Sequence, residues 1–216
     1  MPTGFGRCRE RGVWVLPPCI PAGMAESAGV FEFQSNPREL AGSVLLAHPG
    51  LRDPNFRSTA VFLSMHGAAE GAFGMVLNRP TGKRLREFMP GKDLGLLAMA
   101  PVYWGGPVSG EQLLLSAFRW EEDLGVWNWR HDLTVESATE VLEEEGTVLR
   151  VFAGYSGWGK GQLEAELRSG TWVVQSPDSQ ILDPDGVGPE FWKLLICRQG
   201  PVYEFLTREP GSLGWS

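Results

Sequence analysis

The stretch "TVLRVFAGYSGWGKGQLEAELRSGTWVVQ", residues 147–175, decides how the chain is read. Val148, Leu149, Val151 and Phe152 make an apolar, β-forming run, so 147–154 is predicted as a strand. Gly154, Gly157, Gly159 and Gly161 then interrupt any regular period and predict a loop. Leu163 and Leu167 recur four residues apart. Glu164 and Arg168 do the same, as an i,i+4 pair on the outer face, and together they predict a helix over 162–169. "TWVVQ" (171–175) is a following strand. The spacing Gly154-x-x-x-x-Gly159-Lys160 comes close to a phosphate-binding loop. That loop needs a Ser or Thr hydroxyl after the lysine, and position 161 is glycine. Glu164 and Glu166 would also compete with a phosphate for the positive helix end. A structural turn fits better: Gly157, Gly159 and Gly161 supply positive φ and close packing, and Trp158 plugs it. No cofactor is expected.

Working outward, "SVLLAH" (43–48), "TAVFLSMH" (59–66) and "AFGMVLN" (72–78) read as strands. "VYWGG", "QLLLSA" and "GVWNW" follow as further strands, the first two on either side of a Gly-Gly-Pro turn. Helices are predicted at 82–89, at 134–144 with Thr134 or Ser137 as cap, and at "GPEFWKLLIC" with proline near its start. The implied fold is α+β: a single compact domain with a mixed, mostly antiparallel sheet flanked by helices.

Composition narrows the function classes. The chain has 216 residues, 43% of them hydrophobic and 21% charged, which suits one globular domain. Its net charge of −7 opposes nucleic acid and anionic lipid, and no apolar run is long enough for a membrane helix. Residues 1–29 carry arginines and prolines without periodicity and are expected to be a leader, with Met24 an alternative start. The domain is expected over 30–210 and a tail over 211–216. Cys197 is the single cysteine of the body, in an apolar helix, so neither a disulfide nor a zinc site is expected. Cysteine use points to the cytoplasm.

Four segments, in order, resemble the YqgE/AlgH family of bacterial proteins: "AGSVLLAHPGLRDPNF", "GAFGMVLNRP", "VYWGGPV" and "GYSGWGKGQLEAEL", and they carry five motifs because the His-Pro and Asp-Pro-x-Phe elements are both inside the first. The resemblance spans about residues 40–196. It implies a cytoplasmic α+β domain whose activity is not established and which carries the label of transcriptional regulator. The family motif centres on Gly157, Trp158, Gln162, Leu163 and Glu164, and places no weight on a lysine at 160.

The polar residues of these motifs sit where strands end, the usual place for a site. His48, Asp53, Asn55, Asn78, Arg79, Gly105, Gly106, Gly157, Trp158, Gln162 and Glu164 are expected to converge on one groove for a small anion or a partner peptide. Arg79 could clamp a carboxylate or phosphate, or tie the Asp53 loop by a salt bridge. Gly105 and Gly106 could offer an anion nest or simply a tight turn. The reading is non-enzymatic, with binding or regulation as the role. The alternative is a hydrolase in which His48 and Asp53 activate Ser58 or Thr59. His131 is expected as a solvent-exposed neighbour of a helix cap. Trp127 and Trp129 share a strand face, as core or as a platform. Lys83, Arg84, Arg86 and Lys92 form the one basic run where nucleic acid could touch, though direct nucleic-acid binding is disfavoured by the acidic whole.

Overall fold

The computed structural model describes residues 40–67, 70–182 and 186–208. The expected leader and the tail lie outside them.

Strands β1 (Val44–Ala47), β2 (Ala60–Gly67) and β3 (Gly71–Val76) form an antiparallel meander, and β9 (Trp172–Gln175) joins the outer side of β1. These strands are apolar almost throughout because both of their faces are covered. Val44, Leu46, Phe62 and Met75 pack on one side with Phe191, Trp192, Leu195 and Ile196 of helix α4 (Gly188–Cys197). Leu45, Val61, Leu63 and Val76 pack on the other with Trp158, Trp172 and Leu163, the last on helix α3 (Gln162–Arg168). Each fully buried side chain of this size contributes roughly 2 kcal/mol of transfer free energy.

The second half of the sheet is built from β4 (Pro80–Arg84), β5 (Pro101–Trp104), β6 (Val108–Glu121) and β7 (Val126–Arg130). Helices α1 (Leu85–Phe88) and α2 (Val135–Val141) cover it, packing Leu85 and Ala138 against Val102, Leu115 and Val151. Thr134 caps α2 by accepting from the Ser137 N–H at 3.1 Å. A short helix α5 (Pro201–Leu206), not anticipated from the sequence, closes the described chain. The architecture is α+β with a mixed sheet, as expected.

β8 (Thr147–Trp158) joins the two halves, and here the expected loop is corrected. The strand does not stop at Gly154. Residues 147–155 pair antiparallel with β6, 151–153 pair parallel with β5, and 156–158 pair antiparallel with β3. "GYSGW" is therefore hydrogen-bonded strand and cannot wrap a phosphate. Gly154 takes φ 70° where the strand changes partners, and a Cβ there would lie 2.7 Å from the Gly106 carbonyl oxygen. Its glycine marks a close backbone crossing. Of the three glycines expected at positive φ, Gly161 alone adopts it, at 74°.

The helix expected over 82–89 is also shorter. Its first half is β4, an edge strand paired with β5 through Pro80 and Arg84. Thr81 Oγ1 donates to the Val102 carbonyl at 2.8 Å, which ties these residues to a strand. Leu85 is the one buried residue of the short helix that remains.

Candidate functional site

The segment between β1 and β2 is turned by its own polar residues. Asp53 Oδ1 accepts from the N–H groups of Asn55 at 2.9 Å and Phe56 at 3.1 Å, an Asx turn. Thr59 Oγ1 donates to the Phe56 carbonyl at 2.6 Å. Ser58 closes the loop with φ 54°, a left-handed backbone that a residue with a Cβ adopts at some cost. Phe56 then points inward. Its ring lies 6.3 Å from Trp158, 5.5 Å from Trp172 and 6.5 Å from Trp104, centroid to centroid. Four aromatics from four separate segments thus pin the loop to β5, β8 and β9.

Arg79 holds the loop from the β3 side. Nη1 donates to the carbonyls of Pro54 and Asn55, and Nη2 donates to the Arg57 carbonyl at 2.8 Å. The guanidinium lies over the Trp104 ring, 5.1 Å from its centroid. Arg79 therefore does tie down the loop, but through backbone carbonyls; the expected salt bridge to Asp53 is not made. Burial lowers the pKa of Arg79, the charge of Arg57 lowers it further, and Asp53 opposes them.

Helix α3 carries a polar hub that sequence reasoning passed over. Glu166 Oε2 accepts from the indole N–H of Trp158 at 2.8 Å and of Trp172 at 2.7 Å, and Oε1 accepts from Gln162 Nε2 at 3.0 Å. The oxygen of Gln162 in turn accepts from the Gly159 N–H at 3.0 Å. One carboxylate so fixes both tryptophans and the three-residue link Gly159–Gly161. The recurrence of Trp158 and Trp172 around an acidic helix was the available signal, since a buried indole needs an acceptor.

Several expected site residues lie elsewhere. His48 turns toward helix α5, its ring edge-on to Tyr203 at 6.1 Å, and its Nδ1 accepts from the Gly50 N–H at 3.0 Å. Neither Ser58 nor Thr59 hydrogen-bonds to it among the described residues, and Thr59 is fully buried. The hydrolase arrangement is thus not assembled. Glu164 faces His66 Nε2, near the end of β2, at 3.2 Å and not Arg168. Asn78 is buried and fully engaged: Oδ1 accepts from the Ala60 N–H, and Nδ2 donates to the carbonyls of Ser58 and Gly188. Gly105 spends its N–H on the Ala153 carbonyl at 2.9 Å, so it offers no anion nest. A Cβ on Gly105 or Gly106 would sit 2.2 Å from the neighbouring β8 backbone, which explains both glycines by strand contact. Gly157 is exposed strand opposite Phe73. What does come together is Asp53, Asn55, Phe56, Arg79, Trp104 and Trp158, with Gln162 joined to Trp158 through Glu166.

His131 corrects another expectation. Although part of the residue reaches the surface, its ring is enclosed between Phe73 and Phe118. Nδ1 lies 2.8 Å from Ser116 Oγ and Nε2 2.8 Å from Ser64 Oγ, so a neutral ring donates to one hydroxyl and accepts from the other. Burial lowers its pKa to about 3. Trp127 and Trp129 are likewise packing groups: Trp127 is buried and donates to the Asp178 carbonyl, and Trp129 stacks edge-on against Phe62. Among the described residues, no group of three or more His, Cys, Asp or Glu could hold a metal ion.

The AlgH-like family model matches residues 44–204. A UPF0301 protein of Streptomyces coelicolor is 38% identical over 173 residues, covering 74% of this chain and 86% of that one. A UPF0301 protein of Methylococcus capsulatus is 32% identical over 185 residues, 80% of this chain and 95% of its own. The solution structure of AlgH from Pseudomonas aeruginosa superposes with TM-score 0.58 at 24% identity, covering 82% of this chain and 98% of that one. The crystal structure of DIP2367 from Corynebacterium diphtheriae gives 0.60 at 19% identity, covering 82% and 95%. At these identities the two structures speak to the fold.

Proposed function

The chain belongs to the AlgH-like family, and from that premise we propose that it is a non-enzymatic binding protein of the cytoplasm, with a regulatory role. Its binding face is the one centred on Arg79, Asn55, Trp104 and Gln162, and its ligand is a small anion or a partner peptide. One observation carries this reading. The loop 53–58 is held rigidly on an aromatic floor by Arg79, yet Arg79 makes no ion pair among the described residues. A preorganised, half-desolvated cation with no carboxylate in direct contact among the described residues favours an anionic group. No helix among the described residues is long and apolar enough to cross a membrane.

Mass-spectrometric profiling of small molecules and peptides that co-purify with the protein tests the reading. The expected result is a ligand whose rebinding shifts the indole N–H resonance of Trp104 and the side-chain amide of Gln162. A ligand that instead perturbs the Tyr203 and His48 side of the sheet would defeat it. The basic run Lys83, Arg84, Arg86 and Lys92 is exposed along β4, α1 and the turn that follows. If nucleic acid were the partner there, affinity would fall steeply with salt, and a gel-shift titration reads that slope.

A further inference from the structure

Arg79 and Arg57 approach each other across the loop: the Arg79 guanidinium donates to the Arg57 carbonyl, and the two charges oppose one another. Asp53 offsets part of this, but its Oδ1 is already taken by two backbone N–H groups. A guanidinium has five N–H donors. Among the described residues the carbonyls of Pro54, Asn55 and Arg57 account for donors on Nη1 and Nη2, which leaves the Nε–H and a further N–H. The Nε/Nη2 edge is the one along which a guanidinium meets an oxyanion with two parallel hydrogen bonds. One face of the group lies over Trp104, and the Nε–H makes no hydrogen bond among the described residues, so an oxyanion can approach from the Nε side.

The loop is built to keep that edge in place. Ser58 sits at φ 54°, a non-glycine residue in a sparsely populated region, immediately after Arg57. Its carbonyl is held by Asn78, so the strained turn is fixed from the interior. Such strain persists only where surrounding structure enforces it, and it clusters at ligand clamps. The Arg57 side chain is exposed and makes no hydrogen bond among the described residues, where only its backbone ties the loop, so its charge is available.

We infer that Arg79 and Arg57 form a binding site for a phosphate monoester, with Arg79 gripping two oxygens through its free edge and Arg57 supplying the second charge. A phosphate monoester carries about −1.5 to −2 charge near neutrality and three acceptor oxygens, which matches two guanidinium groups better than a carboxylate does. The inference rests on the binding reading above and narrows its ligand class.

The test uses the full chain and inorganic phosphate, with acetate and chloride at equal ionic strength as comparisons, followed by the Arg79 Nε–H resonance and by the melting temperature. Phosphate should move that resonance in a saturable way and raise the melting temperature, while acetate and chloride should do neither. Arg57→Gln leaves the loop's backbone bonds in place and removes a like charge from Arg79, so it should keep or slightly raise the unliganded melting temperature and weaken phosphate roughly tenfold, as loss of one charged contact does. Equal responses to all three anions overturn the site, and so does unchanged affinity in Arg57→Gln. A co-purified ligand that shifts Trp104 and Gln162 while Arg79 Nε–H stays unmoved sinks the phosphate assignment and leaves the broader binding reading standing.

Discussion

Asn78 and Arg79 are neighbours in sequence just beyond β3, and the fold uses them in opposite ways. Asn78 is buried, with its amide oxygen and both amide hydrogens spent on the protein's own backbone. Arg79 is half-buried, and its Nε–H makes no hydrogen bond among the described residues. His131 belongs with Asn78: both ring nitrogens are occupied by buried serines. The difference teaches that a polar residue in a family motif is not by that fact a binding residue. An interior polar group whose partners are complete specifies the fold, while one left with capacity at a rim can serve a ligand.

The comparison can be broken most severely at Asn78. Asn78→Ala leaves a buried Ala60 N–H and the carbonyls of Ser58 and Gly188 without partners. With each such loss costing 1–3 kcal/mol, urea unfolding should show about 4 kcal/mol of destabilisation. A loss under ~1 kcal/mol would mean that water replaces the amide and that the interior is not closed.

His131 gives the next largest effect and reads out as pH dependence. Its folded pKa is lowered to about 3 by burial, against an ordinary value of 6.5. Below that ordinary value the unfolded chain binds a proton that the folded chain refuses. Stability from this group is therefore complete above ~6.5 and is lost as pH falls toward ~3, by up to ~1.4 kcal/mol per pH unit. Urea midpoints measured between about pH 7 and about pH 4 should decline, and His131→Asn should flatten that decline. An unchanged slope in the variant would assign the acid sensitivity to the carboxylates.

At the rim the effects should be small. Ser58→Gly relieves a left-handed backbone and adds freedom to the unfolded chain, two contributions of opposite sign and near 1 kcal/mol each. The net change in urea stability should stay under ~1 kcal/mol, a fraction of that at Asn78. A large loss would show that the Ser58 side chain has a structural duty.

Much of the architecture was legible along the chain. The runs "SVLLAH" and "TAVFLSMH" are strands because β-branched and large apolar residues covered on both faces have few other solutions, and "GPEFWKLLIC" becomes α4 over the same ten residues. The reading failed where meaning depends on another segment. Glycines in "GYSGW" look like loop signals. They belong to β8, where Gly154 meets the backbone of Gly106 and Val108 within 3 Å of where a Cβ would stand. His131 lies between Arg130 and Asp132 and reads as surface, because Ser64, its second partner, is 67 positions away. The site was half legible. The Asp53 turn and the Arg79 tether could be anticipated from residue type. That His48 faces Tyr203, and Glu164 faces His66, depended on which side of the sheet each was delivered to.

The threefold pairing of β8 has a consequence for how the protein is made. β3, β5 and β6 emerge from the ribosome before residues 147–158, and each must wait with one hydrogen-bonding edge open. Distant pairings of this kind assemble slowly, and open edges recruit other chains. A nascent polypeptide halted before Thr147 would hold three such edges at once, so a prematurely ended product should precipitate and not persist as a smaller folded body.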